Sequence, residues 1–520
     1  MILLKFLLSI VILNGVYSSK ILILIPFPGP SHWVMVKEII KELISRNHEV
    51  TAITNIKFGE TLKNYTEIYV DPPYPIREKY PVEEMFKAKY GSEISSLFML
   101  WGMGLDTSEY SLKNRAVQQL IERDDLHFDL VLSEQFYQES WLMFAHKYKA
   151  PIVTLSTIGY ADFMDSMMGL QTPWSHVPHF LLNYEDNMNF CERVYNTYIS
   201  IFDRIFRKWY YLPKHDEIAQ KYFASVVKKN GPLPTVAELE KSISVILVNS
   251  HRSMLKPRPT IDGLVNIAGA TIRPPKKLPQ DLQLFLDNAP DGVIYFSLGA
   301  YMQSSLMPTD KVNHILKVFS KLKQKVLWKW ENDKIPNLPQ NVMVRKWLPQ
   351  SDILAHKNII LFINHGGMFG TFEAIANGIP TLTIPFYGDQ QKNALKQEQN
   401  GCGLQLNFKD ITEESLSTKL NQLLGNKSYF DHAKERSKLF LDNPIHPMDE
   451  AMYWIEYVIR HKGAKHLKSA AVGMPLYQFL LLDVFGVVFG VIFVIFYLLW
   501  KILRCVFSSK STTSHSKKRN

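Results

Sequence analysis

The sequence predicts an α/β protein built from two halves and followed by one membrane-spanning helix. Three observations lead to this prediction. Short apolar runs alternate with amphipathic helices, which is the pattern of parallel sheets covered by helices. A proline-rich stretch interrupts the alternation at 251–280, after which it restarts. Residues 484–500 contain no charged side chain, and with the leucines before them they are long enough to cross a bilayer.

The first half is predicted to cover 19–250. It follows residues 1–18, whose early lysine, apolar run and small residues at cleavage spacing are typical of a secretory signal peptide. Buried strands are predicted at 20–25, 49–54, 130–132 and 151–155, with amphipathic or short helices between them. The stretch 160–240 is rich in aromatic residues and methionine, and we interpret it as helices and loops over a pocket.

The second half is predicted to cover 281–440, after a linker at 251–280 that contains five prolines. Its predicted strands are 293–297, 326–330, 359–363 and 381–385, and its predicted helices include 309–324 and 370–377. A cleft between two such halves is the expected place for a ligand.

The end of the chain divides into three predicted segments. A returning helical segment spans 441–475, the membrane helix spans 476–500, and a basic cytosolic tail spans 501–520. Lys517 and Lys518 stand fourth and third from the terminus, which resembles the dilysine signal that returns membrane proteins to the endoplasmic reticulum. A merely solvated basic tail is the alternative.

Charge and cysteine content exclude other classes of protein. The formal net charge is +10, but the last twenty residues hold six basic residues and no acidic one. The body is therefore close to neutral, and we expect no nucleic-acid partner. The three cysteines predict no disulfide framework. Asn64 and Asn426 begin N-glycosylation triplets, as a lumenal body would allow.

The densest group of chemically interesting residues lies in 347–391. A predicted strand meets His365-Gly366-Gly367 before a helix, and free N–H groups at a helix start attract phosphate. Glu373 lies one turn into that helix, where it is placed to bind a ribose. Trp347, upstream, is able to stack on a base. The alternative for this motif alone is a glycine-rich turn with a core histidine.

The run from Trp347 to Gln391 as a whole resembles the signature of the UDP-glycosyltransferase family, the membrane-anchored animal type in its invertebrate branch. The leader, the Ser31-His32-Trp33 loop, the strand end at 292–299, the late helix at 454–460 and the anchor with its lysine tail add to the resemblance. It implies two facing Rossmann-like domains of the GT-B type.

The resemblance also implies a donor site. Trp347 would stack on uracil beside Gln350, and Glu373 would bind the ribose. Asp389 and Gln390 would hold the sugar hydroxyls, which need both acceptors and donors. The diphosphate contacts and their neighbours would be Ser297, Gly299, His365, Gly367, Gly370 and Thr371.

Catalysis needs a base, and the resemblance implies His32, which follows the first predicted strand. A structural loop histidine is the alternative. Vertebrate members carry an aspartate, which would orient this histidine, five residues after the aspartate of a Phe-Asp strand. Here that strand begins at Phe128-Asp129, so Glu134 takes the place with one more methylene group.

The implied reaction is an inverting transfer of a sugar from a UDP-sugar to a hydroxyl of a small lipophilic acceptor such as a phenol, steroid, pigment or plant toxin. The resemblance to the invertebrate branch favours glucose, and glucuronic acid is the alternative because Asp389 and Gln390 would serve both sugars. The donor-site candidates contain no Asp-x-Asp motif, so we expect neither a metal nor another cofactor. A homo- or hetero-oligomer is compatible with the sequence. Departures from the family pattern at Glu134, Asn364 and Phe369 leave one alternative, a catalytically weak or inactive lumenal binding protein.

Overall fold

The computed structural model describes residues 18–86, 92–332 and 335–512. Residues up to Lys468 form one compact unit, and the residues from Ser469 onward form a second. The predicted signal peptide, apart from its last residue, and the dilysine terminus lie outside the described residues.

The first half of the larger unit is built on a sheet of seven parallel strands. In chain order these are β1 (Lys20–Ile25), β2 (Glu49–Thr54), β3 (Tyr65–Tyr69), β4 (Leu130–Glu134), β5 (Ile152–Ser156), β6 (Val245–Val248) and β7 (Leu264–Asn266). Their spatial order is β3-β2-β1-β4-β5-β6-β7. β1, β4, β5 and β6 are almost entirely buried, as expected for parallel strands with helices on both faces.

The second half repeats the design with six parallel strands. These are β8 (Val293–Ser297), β9 (Lys325–Lys329), β10 (Val342–Arg345), β11 (Ile359–Asn364), β12 (Thr381–Thr383) and β13 (Gly403–Gln405). Their order is β10-β9-β8-β11-β12-β13, so the strand order reverses between β8 and β11, which is the topological switch point of the sheet. Ligands of open α/β sheets bind at the carboxyl ends of strands near such a reversal.

Helices cover both sheets. In the first half they are Pro30–Ser45, Ile76–Lys79, Val82–Phe86, Glu93–Leu112, Arg115–Glu122, Glu139–Leu142, Met143–Tyr148, Asp162–Met167, Phe190–Phe206, Arg207–Tyr211, Leu212–Tyr222, Ala224–Val226, Val227–Asn230 and Val236–Ser242. The later helices of the larger unit are Gln280–Asp287, Ser304–Leu306, Thr309–Phe319, Gln350–Leu354, Met368–Asn377, Gln390–Gln399, Phe408–Asp410, Glu413–Gly425, Ser428–Leu441, Pro447–Arg460 and Lys465–Leu467.

The predicted linker at 251–280 needs a correction, because it contains β7. This strand pairs with β6 and extends the first sheet, with Leu264 and Val265 buried. A strand of three residues among prolines is too short to show a period in the sequence. The connection between the two sheets is therefore shorter than predicted.

The predicted returning segment packs on the first half. Helix Pro447–Arg460 buries its apolar face in the same hydrophobic cluster as helix Pro30–Ser45. Arg46 adds ion pairs to Asp449 at 2.5 Å and to Glu456 at 3.5 Å.

The smaller unit contains helices Leu476–Phe479 and Leu482–Thr512. The segment Leu482–Phe507, 26 residues long, is long and apolar enough to cross a membrane. The prediction of one helix over 476–500 is wrong in its bounds. Leu481 has a φ of +55°, a left-handed conformation that separates the two helices, and the second continues well beyond residue 500.

Candidate functional site

His32 and Glu134 meet at the carboxyl ends of two neighbouring strands. β1 leads into helix Pro30–Ser45, whose first turn holds His32, and Glu134 is the last residue of β4. Because β1 and β4 are paired and parallel, these ends lie at one edge of the sheet. The Nδ1 atom of His32 lies 2.5 Å from the Oε1 atom of Glu134, and both residues are buried. The extra methylene of the glutamate does not prevent the contact.

Thr157 completes this pair, although no sequence motif marked it. It follows β5, the next strand along the sheet. Its hydroxyl oxygen lies 2.9 Å from Nδ1 of His32 and donates a hydrogen bond of 2.9 Å to Oε1 of Glu134. The side chain of Asn249 donates to the Thr157 carbonyl at 2.9 Å and fixes this loop. The only sequence feature that could have indicated Thr157 is its position directly after β5, the strand beside β4.

Apolar rings enclose the pair. The ring centroids of Phe27 and Phe136 lie 4.9 and 4.6 Å from the centroid of the His32 imidazole. The second carboxylate oxygen of Glu134, Oε2, is buried without a hydrogen-bond partner among the described residues. Charges in such surroundings are screened less than charges in water, so a positive charge formed on His32 would interact strongly with the Glu134 carboxylate.

In the second half, the imidazole of His365 lies between two glycines. A Cβ atom at Gly299, whose φ is +86°, would lie 2.6 Å from the ring, and one at Gly367 would lie 2.4 Å from it. Burial, together with the positive charge of Lys329, lowers the pKa of His365 to about 4, so the ring is neutral at pH 7. Its Nδ1 atom is buried and has no partner in the described part of the chain.

The turn after β11 delivers backbone N–H groups to the same place. Asn364 accepts a hydrogen bond of 2.8 Å from the Gly366 amide through Oδ1. Gly367 then caps helix Met368–Asn377, which begins two residues earlier than predicted. The first turn of this helix contains Gly370 and the buried Thr371. Free N–H groups at such a terminus bind anions well.

Ser297 and Lys329 face this turn from the neighbouring strands. Ser297 ends β8 and accepts a hydrogen bond of 3.3 Å from the Gly299 amide. Lys329, which the sequence analysis missed, ends β9 and is buried. Its ammonium donates to the Gly299 carbonyl at 2.9 Å and pairs with Glu331 at 2.8 Å. A lysine at the carboxyl end of a strand was the signal available for it.

Gln350 and Glu373 contact each other directly. The amide nitrogen of Gln350 donates to Oε2 of Glu373 at 2.5 Å, while its Oε1 accepts from the Tyr295 hydroxyl at 3.2 Å. Gly370 lies against the same amide, since its Cβ would be 3.4 Å from Nε2. Burial raises the pKa of Glu373 to about 7. Trp347 stands nearby in sequence with its side chain 72% exposed, a free aromatic face for stacking.

Asp389 and Gln390 occupy the start of helix Gln390–Gln399. Asp389 accepts a hydrogen bond of 2.8 Å from Asn393, a third residue that sequence reasoning missed. Burial raises the pKa of Asp389 to about 6, and the hydrogen bond from Asn393 acts in the opposite direction. The side-chain oxygen of Gln390, Oε1, already accepts a hydrogen bond of 2.8 Å from the Phe386 amide. Only the side-chain NH2 group of Gln390 is therefore available to a ligand.

A cavity of about 250 Å³ adjoins Asp389 and is lined by both halves of the unit. Tyr160 and Phe180 contribute aromatic surface to it. The interpretation of the stretch 160–240 as helices and loops over a pocket is supported at its beginning, where residues line this cavity. In helix Phe190–Phe206 Ile199 is buried, but most of the other large apolar residues are exposed.

The remaining predicted positions lie away from the cleft. Asn64 and Asn426 are both exposed, as glycosylation requires. Cys191, Cys402 and Cys505 are free.

The second sheet carries a glycine-rich turn suited to a phosphate, and the first carries a buried histidine–carboxylate pair. Two such parallel sheets are typical of one class, the glycosyltransferases of the GT-B fold. Solved structures agree. CalG4, the calicheamicin glycosyltransferase, superposes with a TM-score of 0.57 at 18% identity over 85% of this chain and 99% of its own. The spinosyn forosaminyltransferase SpnP superposes with a TM-score of 0.56 at 17% identity over 85% and 99%.

The chain belongs to the family described as UDP-glucoronosyl and UDP-glucosyl transferase, whose model matches residues 20–519. UDP-glycosyltransferase UGT5 of Dactylopius coccus is 34% identical over 90% of this chain and 88% of its own length. UDP-glucuronosyltransferase 1A9 of Mus musculus is 30% identical over 93% and 91%. The predicted resemblance and the GT-B fold are confirmed, and the protein is a glycosyltransferase that uses a UDP-sugar.

Proposed function

We propose that the protein transfers glucose from UDP-glucose to a hydroxyl of a small lipophilic acceptor with inversion at the anomeric carbon, and that His32 is the general base. The contact between His32 and Glu134 carries the proposal. It is short and buried, and Asp389 of the other half lies within the electrostatic range of His32. This supports a site in which a base of the first half acts on a sugar held by the second half.

In the proposed reaction the acceptor hydroxyl gives its proton to Nε2 of His32. The acceptor oxygen attacks the anomeric carbon as the bond from that carbon to the UDP oxygen breaks, and UDP leaves with the electron pair. Glu134, bonded to Nδ1, holds the ring and stabilises the imidazolium that forms. One displacement in line inverts the configuration.

The charge that grows on the diphosphate needs stabilisation. We assign this to the backbone amides at the start of helix Met368–Asn377, to the His365 imidazole and to the ammonium of Lys329. These groups are fixed by their own hydrogen bonds and glycine contacts before the donor binds. The proposal includes neither a metal nor another cofactor.

The names of the relatives bear on the choice of glucose. One relative that is 32% identical is a UDP-glucosyltransferase 2 from Dactylopius coccus, whereas the mammalian relatives are UDP-glucuronosyltransferases. The apolar surface of the cavity, with Tyr160 and Phe180, supports a lipophilic acceptor.

We further propose that Leu482–Phe507 anchors the protein in the endoplasmic reticulum membrane as a single span. The basic residues after residue 500 support a cytosolic tail and a lumenal catalytic unit, since positive charge favours the cytosolic side. The exposed triplets at Asn64 and Asn426 fit this orientation.

A donor screen on microsomes that contain the full chain tests the activity. UDP-glucose, UDP-glucuronate, UDP-galactose and UDP-N-acetylglucosamine are offered with a pool of phenols and steroids, and products are read by mass. His32→Ala should abolish the product and leave UDP affinity nearly unchanged. His127→Ala, at an exposed histidine of the same half, is the matched control and should be fully active. A normal rate in His32→Ala would reject the proposed base.

A further inference from the structure

Helix Phe190–Phe206 and its continuation Arg207–Tyr211 have inverted polarity. Six side chains of this segment are less than one-tenth exposed, and besides Ile199 and Tyr211 they are strongly polar: Asn196, Ser200, Asp203 and Arg207. A surface helix of a water-soluble protein has the opposite arrangement, with its apolar stripe against the core.

The inward polar groups are held by specific bonds. Asn196 accepts a hydrogen bond of 2.7 Å from the His179 amide, and Asp203 lies 3.2 Å from the imidazole Nε2 of the same residue. Arg207 pairs with the buried Glu139 at 2.6 Å. The helix cannot rotate to bury its other face without breaking these bonds, so its orientation is fixed.

The outward face carries a row of large apolar side chains, each between 41% and 72% exposed: Phe190, Val194, Tyr198, Ile201, Ile205 and Trp209. They follow one another at intervals of three or four residues, so they form one continuous row, which we call the apolar stripe. At 1.5 Å per residue it is about 28 Å long. Exposed apolar surface of this extent marks a contact with another molecule or with lipid.

The residues that border the apolar stripe indicate whether it contacts another protein or lipid. Arg204 and Lys208 are exposed beside it, and the Lys208 ammonium lies 5.0 Å from the ring of Trp209. Within the described segment 190–210 no exposed residue is acidic. Cations and a tryptophan bordering an apolar row are typical of helices that lie in the headgroup region of a bilayer.

We propose that the apolar stripe rests on the bilayer surface as a second membrane contact, parallel to the membrane. This inference rests on the proposed anchor. Thirteen residues join Lys468 to Leu482, and even fully extended they reach only about 45 Å. The folded unit therefore stays within reach of the lipid, and contact removes the apolar row from water.

The test uses the full chain in phosphatidylcholine–phosphatidylserine nanodiscs with a nitroxide label on Ile201→Cys. The matched control carries the label on Leu439→Cys, an exposed leucine of helix Ser428–Leu441 outside the apolar stripe. Cys191 and Cys505 are replaced by serine in both, and the buried Cys402 stays. We expect the label at 201 to meet dissolved oxygen more readily than a water-soluble nickel chelate, and the label at 439 to show the reverse preference.

When Val194→Glu and Ile205→Glu are added to the protein labelled at 201, the label should meet the chelate more readily than oxygen. Retained activity shows that this variant is folded. A label at 201 that meets the chelate as readily as the control overturns the proposal, because the face is then in water. Low access to both reagents with spin–spin broadening also overturns it, since a second copy then covers the face. A chain that does not enter nanodiscs refutes the anchor instead, and the proposal with it.

Discussion

Replacing Glu134 with glutamine isolates the charge in the contact with His32, because the two side chains have nearly the same shape. The imidazole becomes positive when it takes the acceptor proton, and the carboxylate then stabilises it. With charge centres about 4 Å apart and an effective dielectric constant of about 20, this interaction amounts to about 4 kcal/mol. Since 1.36 kcal/mol is a factor of ten in rate, kcat should fall about a thousandfold.

Glu134→Asp separates charge from geometry. It keeps the carboxylate but shortens the side chain by one carbon–carbon bond, about 1.5 Å, so the present contact of 2.5 Å is lost unless the strand moves. The loss of a charged hydrogen bond worth about 1.5 kcal/mol lowers kcat roughly tenfold. The expected order of rates is therefore wild type, Glu134→Asp, Glu134→Gln.

The assay is kcat at saturating donor and acceptor, with UDP affinity measured by calorimetry on the same preparations. UDP affinity should be equal in all three proteins, because Glu134 lies in the other half from the donor site. A kcat for Glu134→Gln within about threefold of wild type would refute the reasoning, since an interaction of this size has to appear in the rate.

Three further perturbations test other parts of the site. Thr157→Val removes the hydroxyl that donates to Glu134 and should lower kcat about fivefold, at about 1 kcal/mol for the bond. Thr157→Ser should restore the rate, and a valine variant with the wild-type kcat would contradict the role. With a pKa of about 7, Glu373 becomes ionised as the pH rises, so the KM for the UDP-sugar should fall between pH 6 and pH 8 by up to about tenfold. Glu373→Gln should lose the part of this dependence centred near pH 7, and an unchanged profile would remove the carboxylate from donor binding. Gly299→Ala drives a methyl group into the imidazole of His365 and should raise the donor KM, whereas Gly59→Ala, at a similar positive φ with open space around it, should leave KM unchanged.

The sequence predicted correctly the features that lie at the ends of strands, both strand bounds and the functional side chains beside them. The bounds of β1 and β2 were predicted to the residue, since polar or proline-rich turns follow both apolar stretches. The meeting of His32 with Glu134 was implied by the resemblance, and the structure brings the two side chains into contact. Their roles in catalysis stay predictions.

Other features depend on distances that no local pattern encodes. Thr157, Lys329 and Asn393 join the site because strands distant in sequence are neighbours in space. Helix 309–324 was predicted too long, since it ends at Phe319 and a loop continues the apolar residues. The aromatic composition of 190–210 was visible, but composition does not show which face a helix turns inward, and here buried polar pairs decide it.

The returning helix Pro447–Arg460 has a consequence for biosynthesis. Its side chains Met452, Ile455 and Val458 are fully buried in the hydrophobic cluster that also contains Ile39 and Ile40 near the start of the chain. The first half thus lacks part of its core until the ribosome has made nearly the whole protein. During that time its exposed surface is a natural target for chaperones. A nascent chain arrested before residue 447 should therefore remain sensitive to protease across its first half, even though all seven strands of that sheet have been synthesised.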